Sequence, residues 1–218
     1  MSVPVLTIDG PSGAGKGTVS RRVAKQLGWH YLDSGSIYRS LAVAVQKQAI
    51  DMNDAAAIAR VAESMVLEFD CGAELVVRLN GVDITAEIPL ESTGKIASIV
   101  ASMPEVRSRL LQKQRDFKKS PGLVADGRDM GTVVFPDAET KVYLTASARE
   151  RASRRYKQLI EKGIDANLSQ ITLEIEERDR RDMERESAPL AMASDAVYID
   201  SSAMTIESVI EEILNLIR

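Results

Sequence analysis

Cysteine, histidine and aromatic residues are scarce in this sequence. Its 218 residues contain one cysteine, Cys71, and one histidine, His30, and 4% of the residues are aromatic. A single cysteine excludes an intramolecular disulfide and a cysteine-rich zinc site. A Ser/His hydrolase mechanism would have to use His30 as its base, because the sequence has no other histidine. No apolar run approaches the ~20 residues that span a bilayer. No charged leader with an apolar segment stands at the N-terminus, so we expect a cytoplasmic protein.

An excess of positive charge is also absent. Lysine and arginine number 28 and aspartate and glutamate 32, which gives a net charge of −4. That balance disfavours a general electrostatic hold on nucleic acid or on an acidic membrane. The length fits one α/β domain, and a single core accounts for the hydrophobic faces. We therefore expect a monomer whose partners are small molecules, without a nucleic-acid or membrane partner.

A glycine-rich segment near the N-terminus is the most informative motif. Residues 10–18 read GPSGAGKGT and lie between an apolar run, 3–8, and a segment with helical apolar spacing, 19–27. A strand, a glycine-rich turn and a helix form a phosphate cradle, in which Lys16 reaches the terminal phosphates of a nucleoside triphosphate. The predicted site for ATP or GTP consists of Gly10, Pro11, Ser12, Gly13, Ala14, Gly15, Lys16, Gly17 and Thr18.

The motif departs from the common P-loop at one position. Gly17 stands where the common loop has Ser or Thr directly after the lysine, so the hydroxyl is displaced to Thr18. A loop with this extra glycine resembles those of the nucleoside-monophosphate kinases, which transfer a phosphoryl group between two bound nucleotides.

Short apolar runs alternate with segments of helical periodicity along the chain. Because helices separate five such runs, we expect a parallel sheet built from strands at 3–8, 29–32, 123–125, 141–145 and 196–200. Ser34 is predicted to cap the helix after the second strand. In that helix Arg39 lies opposite the apolar face of Ile37, Leu41 and Val45. Its guanidinium is therefore expected beside the carboxyl edge of the sheet.

The pattern changes between residues 65 and 90. Alternating residues flank Asn80-Gly81, a strong hairpin signal, and predict a small antiparallel insert of about three strands. In the helix that starts near Glu91, the spacing predicts a buried face of Ile96, Ile99, Val100 and Met103. That arrangement leaves Ser98 facing solvent or a cleft. In the next helix, Arg107 flanks the buried face.

Two further segments concentrate charge. The central strand at 123–125 ends in Asp126-Gly127-Arg128-Asp129-Met130-Gly131, and ligands of doubly wound sheets lie beyond the carboxyl ends of such strands. Two acids and an arginine in that turn therefore indicate function. A later helix places Ile171, Ile175, Arg178, Asp182 and Arg185 on one face.

The charge pattern alone leaves the role of the later helices open. It favours a solvent-exposed helix, stabilised by the ion pairs Glu174 with Arg178 and Glu177 with Arg181, over a helix with a functional face. In the preceding helix, a group of arginines either lines a triphosphate site or solubilises the surface: Arg149, Arg151, Arg154 and Arg155.

Four motifs together resemble the bacterial cytidylate kinases over essentially the whole chain. They are GPSGAGKGT, LDSGSIYR at 32–39, ADGRDMGTVVFPDA at 125–138 and ERDRRDMER at 177–185. Only the first is widespread among other families. The resemblance implies a P-loop kinase fold, an α/β single domain at 1–218 with a five-stranded parallel sheet flanked by helices. Within it, a monophosphate-binding region at 34–118 includes the β insert at 65–90, and a helical lid spans 155–188.

The resemblance also implies the reaction, in which ATP with Mg²⁺ phosphorylates CMP or dCMP to the diphosphate. The family's catalytic positions match Lys16, Arg128 and Arg185. Contacts to the acceptor's phosphate match Arg39, Arg128 and Arg185; those to the cytosine match Ser34, Ser98, Arg107 and Asp129; and those to the pentose match Arg178 and Asp182. For the magnesium ion the alternatives are Thr18, Asp126 or contact through water alone.

Two rival functions remain at this stage. A kinase for a small metabolite alcohol, such as shikimate kinase, requires an aspartate such as Asp33 to orient the hydroxyl nucleophile. A nucleotide-dependent switch or a nucleic-acid-associated ATPase uses its arginines on a partner surface. The GRDM turn and the β insert favour the nucleotide acceptor, and the modest negative charge disfavours the switch or ATPase.

Overall fold

A computed structural model describes residues 2–71, 75–161 and 163–217. Residues 72–74 of the predicted insert, residue 162 of the predicted lid region and the side chains of Asp70, Cys71 and Leu75 lie outside the described residues. The chain divides into two compact units, residues 1–32 with 118–218, and residues 33–117.

Strands and helices follow the alternation expected from the sequence. The strands are β1 (Val5–Asp9), β2 (His30–Asp33), β3 (Leu67–Cys71), β4 (Leu75–Leu79), β5 (Val82–Asp83), β6 (Leu123–Gly127), β7 (Thr140–Thr145) and β8 (Val197–Asp200). The helices are α1 (Lys16–Leu27), α2 (Ser34–Lys47), α3 (Ala55–Ser64), α4 (Glu91–Val100), α5 (Pro104–Arg115), α6 (Ala148–Glu161), α7 (Leu168–Glu184) and α8 (Ile206–Asn215). A π-helical turn, Met130–Val134, follows β6.

A five-stranded sheet of order β2-β6-β1-β7-β8 organises the first unit. Strand β1 is parallel to both β6 and β7, and β7 is parallel to β8, so the expected parallel sheet is confirmed. Asp9 pairs in register with Gly127 at the carboxyl ends of β1 and β6. The glycine-rich loop and the turn at 128–131 therefore leave the sheet from adjacent strand ends.

One face of this sheet carries the core of the first unit. Leu6 and Ile8 alternate with Thr7 and Asp9 along β1, so the two pairs of side chains point to opposite faces. On the apolar face, α1 and α8 pack over a cluster of Leu6, Ile8, Val19, Val23, Ala24, Tyr31, Val124, Val142, Leu144, Ile199, Val209, Ile210 and Ile213. The opposite face receives the π-helical turn, whose Met130 and Gly131 amides bond to Asp9.

The second unit consists of the helices α2 to α5 and a sheet of order β3-β4-β5. Both strand pairs are antiparallel, which confirms the predicted insert. Asn80 and Gly81 have φ angles of 51° and 79°, the left-handed pair that a type I′ hairpin turn requires. Helix α2 packs on α4 and α3 packs on α5.

Two local predictions are wrong. The cap of α2 is Asp33 instead of Ser34, because one carboxylate oxygen of Asp33 accepts the Ser36 amide at 3.0 Å and the other accepts the Ser36 hydroxyl at 2.6 Å. Helix α4 buries Ser98, which is 6% exposed, while Ile99 is 40% exposed. The buried face of α4 carries small residues because α2 lies close to it: a Cβ atom at Gly94 would lie 3.0 Å from an Arg39 guanidinium nitrogen.

Across the part of the chain that the structure describes, no helix combines the length and apolar character that crossing a bilayer requires.

Candidate active site

Glycines shape the loop at 10–18 through left-handed backbone and a close approach to β7. Gly13 and Gly15 have φ angles of 79° and 93°, which side chains disfavour, and a Cβ atom at Gly10 would lie 1.9 Å from the Leu144 carbonyl oxygen. Gly15 caps α1 without a side-chain hydrogen bond to its first turn. The loop and the N-terminus of α1 therefore offer backbone N–H groups and a positive helix end to an anion.

Lys16 lies in the first turn of α1 and is 6% exposed. Its ammonium donates to the Pro11 carbonyl at 2.9 Å, so it closes the loop on itself. Burial and, to a lesser extent, the Arg128 charge lower the pKa of Lys16 to about 7, against the opposing effect of Asp126 and Asp9. A bound phosphate would restore the charged form, because a neighbouring anion stabilises an ammonium.

Asp126 faces the position of the missing P-loop hydroxyl. The Tyr31 hydroxyl donates to Asp126 at 2.6 Å, and a Cβ atom at Gly17 would lie 3.7 Å from the Tyr31 oxygen and 3.8 Å from the Asp126 oxygen. The described residues contain no cluster of three or more His, Cys, Asp or Glu suited to a metal ion. A single carboxylate such as Asp126 nevertheless suits Mg²⁺, which keeps several waters and substrate phosphates as ligands.

The turn after β6 is tied to α7 by charged pairs. Arg128 Nε donates to Asp182 Oδ2 at 2.7 Å, and an Arg185 nitrogen lies 3.6 Å from Asp129 Oδ1. Burial raises the pKa of Asp182, but Arg128, aided by Arg178 and Arg185, more than offsets this and holds it below the usual value. The structure thus brings together, within the first unit, the predicted residues Arg128, Asp129, Arg178, Asp182 and Arg185.

Helix α7 is only partly a solvated helix. The predicted pair Glu177–Arg181 forms at 2.9 Å with both side chains substantially exposed. Asp182, by contrast, is 5% exposed, so the inward face of the helix carries buried charge. Arg185 departs from the predicted helical stripe: it follows the end of α7 in an extended conformation, and its Nε donates to the Ala188 carbonyl at 2.7 Å.

The arginines of α6 have separate roles. Arg151 is buried and donates to Asp179 of α7 at 2.6 Å and to the Ser12 carbonyl at 3.0 Å. It therefore links α7 to the backbone of the glycine-rich loop. Arg154 donates to the Ser201 carbonyl at 2.7 Å and to Glu150, whereas Arg149 is exposed.

The predicted acceptor residues of the second unit line the inner sides of its helices. The Ser34 hydroxyl donates to Gln114 at 2.7 Å, and the Arg39 guanidinium donates to the Ile88 carbonyl at 2.8 Å. Arg107 donates to the Ala101 carbonyl at 3.2 Å and stacks over the Tyr38 ring at 5.8 Å. Together with buried Ser98, these contacts hold polar groups in fixed orientations inside the unit.

Sequence reasoning missed three polar residues of these sites. Gln114, 1% exposed, lies seven positions after Arg107 on the same face of α5, a spacing that could have identified it. Tyr31 follows His30 in a buried strand, and nothing local marks its contact with Asp126. Asp9 ends an apolar strand and carries no local signal, yet it accepts two backbone hydrogen bonds from the turn that follows β6.

Comparisons with known proteins cover the whole chain. The family model described as cytidylate kinase matches residues 6–218. A cytidylate kinase from Methylococcus capsulatus is 55% identical over 217 residues, which span 100% of this chain and 98% of that protein.

Solved structures with lower similarity include two other kinases. Shikimate kinase from Acinetobacter baumannii, solved in complex with shikimate, is 16% identical with a TM-score of 0.46, over 99% of this chain and 93% of that chain. A gluconokinase from Sinorhizobium meliloti 1021 is 14% identical with a TM-score of 0.48, over 99% and 92% respectively.

Proposed function

The chain belongs to the cytidylate kinase family, and from this premise we propose that it transfers the γ-phosphoryl group of ATP to CMP or dCMP, giving ADP and CDP or dCDP. The observation that carries the proposal is the pairing at adjacent strand ends of two features. The loop that holds Lys16 follows β1, and the turn that holds Arg128 and Asp129 follows β6. The proposed donor loop and the proposed acceptor turn thus start at the same edge of one sheet.

The donor's phosphates bind to the glycine-rich loop. Backbone N–H groups of residues 10–18 and the positive end of α1 neutralise the phosphates, and Lys16 supports the group being transferred. The buried position of Lys16 and its pKa of about 7 favour this role, because the phosphates supply the negative charge that its ammonium needs.

The acceptor's phosphate binds to arginines. It carries nearly two negative charges at neutral pH, and guanidinium groups form bidentate, charge-assisted bonds with phosphate oxygens. Arg39, Arg128 and Arg185 are assigned to this task. Lysine would position the phosphate less well, since an ammonium lacks the planar fork.

The reaction requires no general base. An oxygen of the acceptor's phosphate is already ionised and attacks the γ-phosphorus of ATP, the bond from that phosphorus to the β–γ bridging oxygen breaks, and ADP leaves with the electron pair. Catalysis then consists of in-line positioning and neutralisation of charge on the transferred group, to which Lys16, Arg128 and Arg185 contribute. The scarcity of histidine is consistent with this mechanism.

Asp129 gives the site its base preference. Cytosine presents an exocyclic amino group where uracil presents a carbonyl oxygen, so a carboxylate attracts the first and repels the second. Ser34, Ser98 and Arg107 complete the contacts to the base, and Arg178 and Asp182 bind the pentose. The burial of Ser34, Ser98 and Asp129 supports these roles, because a desolvated polar group discriminates strongly between a partner and its absence.

A magnesium ion accompanies ATP and neutralises charge on its phosphates when bound. Asp126 and the Thr18 hydroxyl are the residues that would hold it, directly or through water. Asp126 faces Gly17, where the common P-loop has its hydroxyl, and this geometry supports the assignment.

The regional assignments form part of the proposal. Residues 34–118 bind the monophosphate, and residues 155–188 act as a lid that excludes water. The Arg151 bonds to Asp179 and to the Ser12 carbonyl support the lid, because they tie α7 to the donor loop. Low ATP hydrolysis without an acceptor is the expected result, and rapid hydrolysis would contradict the lid.

One rival function loses its key residue. A metabolite-alcohol kinase requires a carboxylate such as Asp33 to orient the hydroxyl, but both oxygens of Asp33 accept hydrogen bonds from Ser36. All assigned residues belong to one chain, so we propose that the monomer is active. We also propose a cytoplasmic location, where both nucleotides are available.

The test is an acceptor panel. ADP formation is measured with MgATP and CMP, dCMP, UMP, AMP or shikimate, against a blank without acceptor. Turnover confined to CMP and dCMP is expected. Turnover with shikimate, or ATP hydrolysis that ignores every acceptor, would overturn the proposal. Size-exclusion chromatography of the active fraction tests the monomer.

A further inference from the structure

Asp9 contacts the turn that carries the proposed acceptor residues. It is the last residue of β1 and is 5% exposed. Its two carboxylate oxygens accept separate hydrogen bonds, one from the Met130 amide at 2.8 Å and one from the Gly131 amide at 2.7 Å. A buried carboxylate that accepts two consecutive backbone N–H groups fixes the path of the chain at that point.

The neighbouring residues are shaped for this contact. A Cβ atom at Gly131 would lie 2.8 Å from Thr7 Oγ1, 3.2 Å from Lys141 Cδ and 3.4 Å from an Asp9 carboxylate oxygen. Only glycine lets the amide of residue 131 approach Asp9 without displacing these atoms. The close approach of the turn to β1 therefore explains why residue 131 is glycine.

Hydrogen bonds at both ends restrain the peptide group that follows Asp129. The peptide after Asp129 donates its N–H, that of Met130, to Asp9. The Asp129 carbonyl accepts the Val133 and Val134 amides at 2.9 and 3.1 Å. These hydrogen bonds hold the backbone next to Asp129, so a shift of this peptide group would move the Asp129 carboxylate.

We infer that Asp9 is a positioning residue for acceptor recognition: through the Met130 and Gly131 amides it holds the 128–131 turn so that Asp129 meets the acceptor's base. This inference rests on the proposed function. Asp9 touches neither substrate in it. Its effect is on the choice between cytosine and uracil, although it directly precedes the donor loop.

Three variants separate position from charge and from general damage. Asp9→Asn leaves one acceptor oxygen but turns an NH₂ group toward the second amide. Gly131→Ala keeps the Asp9 charge and forces the amide away from the carboxylate. Thr7→Val is the control: it lies on the same face of β1, is fully buried, and its hydroxyl has no hydrogen-bond partner among the described residues.

The measurement is kcat/KM for CMP and for UMP in each variant, together with the Kd of MgATP. We expect the CMP/UMP ratio to fall by about 10-fold or more in Asp9→Asn and Gly131→Ala, because a misplacement of ~1 Å costs about 100-fold in rate. Thr7→Val should keep the ratio of the parent chain. MgATP affinity should change little in Asp9→Asn, since removing a negative charge near the donor loop favours the phosphates but also lowers the pKa of Lys16.

The outcomes are distinct. An unchanged CMP/UMP ratio in Asp9→Asn and Gly131→Ala, or an equal fall in Thr7→Val, would overturn the inference. Weaker MgATP binding with an unchanged ratio would assign Asp9 to the donor loop instead. Absence of CMP turnover in the unsubstituted parent chain would contradict the proposed function. Hydrogen exchange at the Met130 and Gly131 amides tests the contact without any activity, with faster exchange expected in Asp9→Asn and equal exchange contradicting it.

Discussion

Arg128 Nε donates a hydrogen bond to Asp182 Oδ2 over 2.7 Å and thereby joins the turn after β6 to helix α7. The two side chains are 18% and 7% exposed, so the pair is largely withdrawn from water. Arg128 is assigned to the acceptor's phosphate and Asp182 to its pentose. Without the acceptor, the two side chains therefore bond to each other. In the proposed function, the acceptor either adds its hydrogen bonds to this pair or replaces the bond between the two side chains.

Replacing Asp182 by Asn tests this relationship. Asn keeps the shape but leaves the buried Arg128 without its counter-charge, and breaking a buried pair costs about 3–5 kcal/mol. We expect a loss of unfolding free energy of this order and a higher KM for CMP, with a smaller effect on the KM for ATP. Chemical denaturation and steady-state kinetics measure the two effects.

Glu177→Gln is the matched control. It removes the exposed pair with Arg181 on the same helix, for which ~0–1 kcal/mol is expected. The pKa of Asp182 is held below 3.8, so its contribution is present above pH 3.8 and is lost as the pH falls further. Equal destabilisation by both substitutions would contradict the importance of the buried pair.

Asp129→Ala should weaken the preference for CMP over UMP. The carboxylate is 3% exposed, and a buried group that bonds a particular substrate atom discriminates by up to about 10⁴-fold against an analogue without it. The kcat/KM for CMP should fall and that for UMP should rise or hold. Asp116→Ala, at an exposed position, serves as control. An unchanged ratio of the two kcat/KM values would remove Asp129 from base recognition.

MgATP binding should depend on the charge of Lys16. Because the pKa of Lys16 is lowered to about 7, the free protein loses this ammonium as the pH rises from 6 to 8. Affinity should fall over that interval in the parent chain. Lys16→Arg keeps its charge at every such pH, so its Kd should change less between pH 6 and 8, whatever its absolute value. Parallel pH curves, measured by titration calorimetry, would contradict this role of the amine.

The sequence predicted elements whose signals are local. The hairpin at Asn80-Gly81 needs left-handed backbone at two consecutive residues, and that requirement is visible in the residue types themselves. The order of strands and helices likewise follows from apolar periodicity. The assignment of Arg128, Asp129, Arg178, Asp182 and Arg185 to one site rests on a family resemblance that connects segments far apart in sequence.

Contacts that depend on packing could not be predicted. Ser98 is buried and Ile99 exposed because Gly94 and Ala97 let α4 lie close to α2, and a hydrophobic pattern does not record such an approach. The sequence does not distinguish Asp33 from Ser34 as the cap, because the bond from the Ser36 hydroxyl to Asp33 forms only once the turn has formed. Asp9 showed no signal because its partners are amides of a segment more than a hundred residues away.

The stability contributed by Asp9 should change with pH. Burial raises the pKa of Asp9 to about 6, against the opposing effect of its two amide donors. A raised carboxyl pKa means that the contribution is full below pH 3.8 and is lost as the pH rises through 6. The change from 3.8 to about 6 corresponds to roughly 3 kcal/mol.

Denaturation of the parent chain and of Asp9→Asn between pH 4 and 7 measures this contribution. The parent chain should gain stability relative to Asp9→Asn as the pH falls, by up to that amount. Thr7→Val should follow the parent curve. A constant difference between the parent chain and Asp9→Asn would show that Asp9 does not titrate in this range.

Asp126 should affect the binding of ATP according to whether magnesium is present. Its carboxylate faces Gly17, and its charge also raises the pKa of the buried Lys16. Asp126→Asn lowers the pKa of Lys16, which weakens the binding of ATP and of MgATP alike, and it removes a negative charge that repels metal-free ATP. If Asp126 holds the ion, directly or through water, MgATP should bind more weakly.

The ratio of the two dissociation constants separates the roles of Asp126. Calorimetry with ATP plus a chelator and with MgATP gives the ratio of Kd for ATP to Kd for MgATP, which should fall in Asp126→Asn. Tyr31→Phe removes the hydroxyl that donates to Asp126 but keeps the carboxylate. In this variant the ratio of Kd for ATP to Kd for MgATP should therefore not show the fall expected in Asp126→Asn. If Asp126→Asn changes both constants by the same factor, the carboxylate acts only on Lys16, and the ion is held by phosphates, water and Thr18.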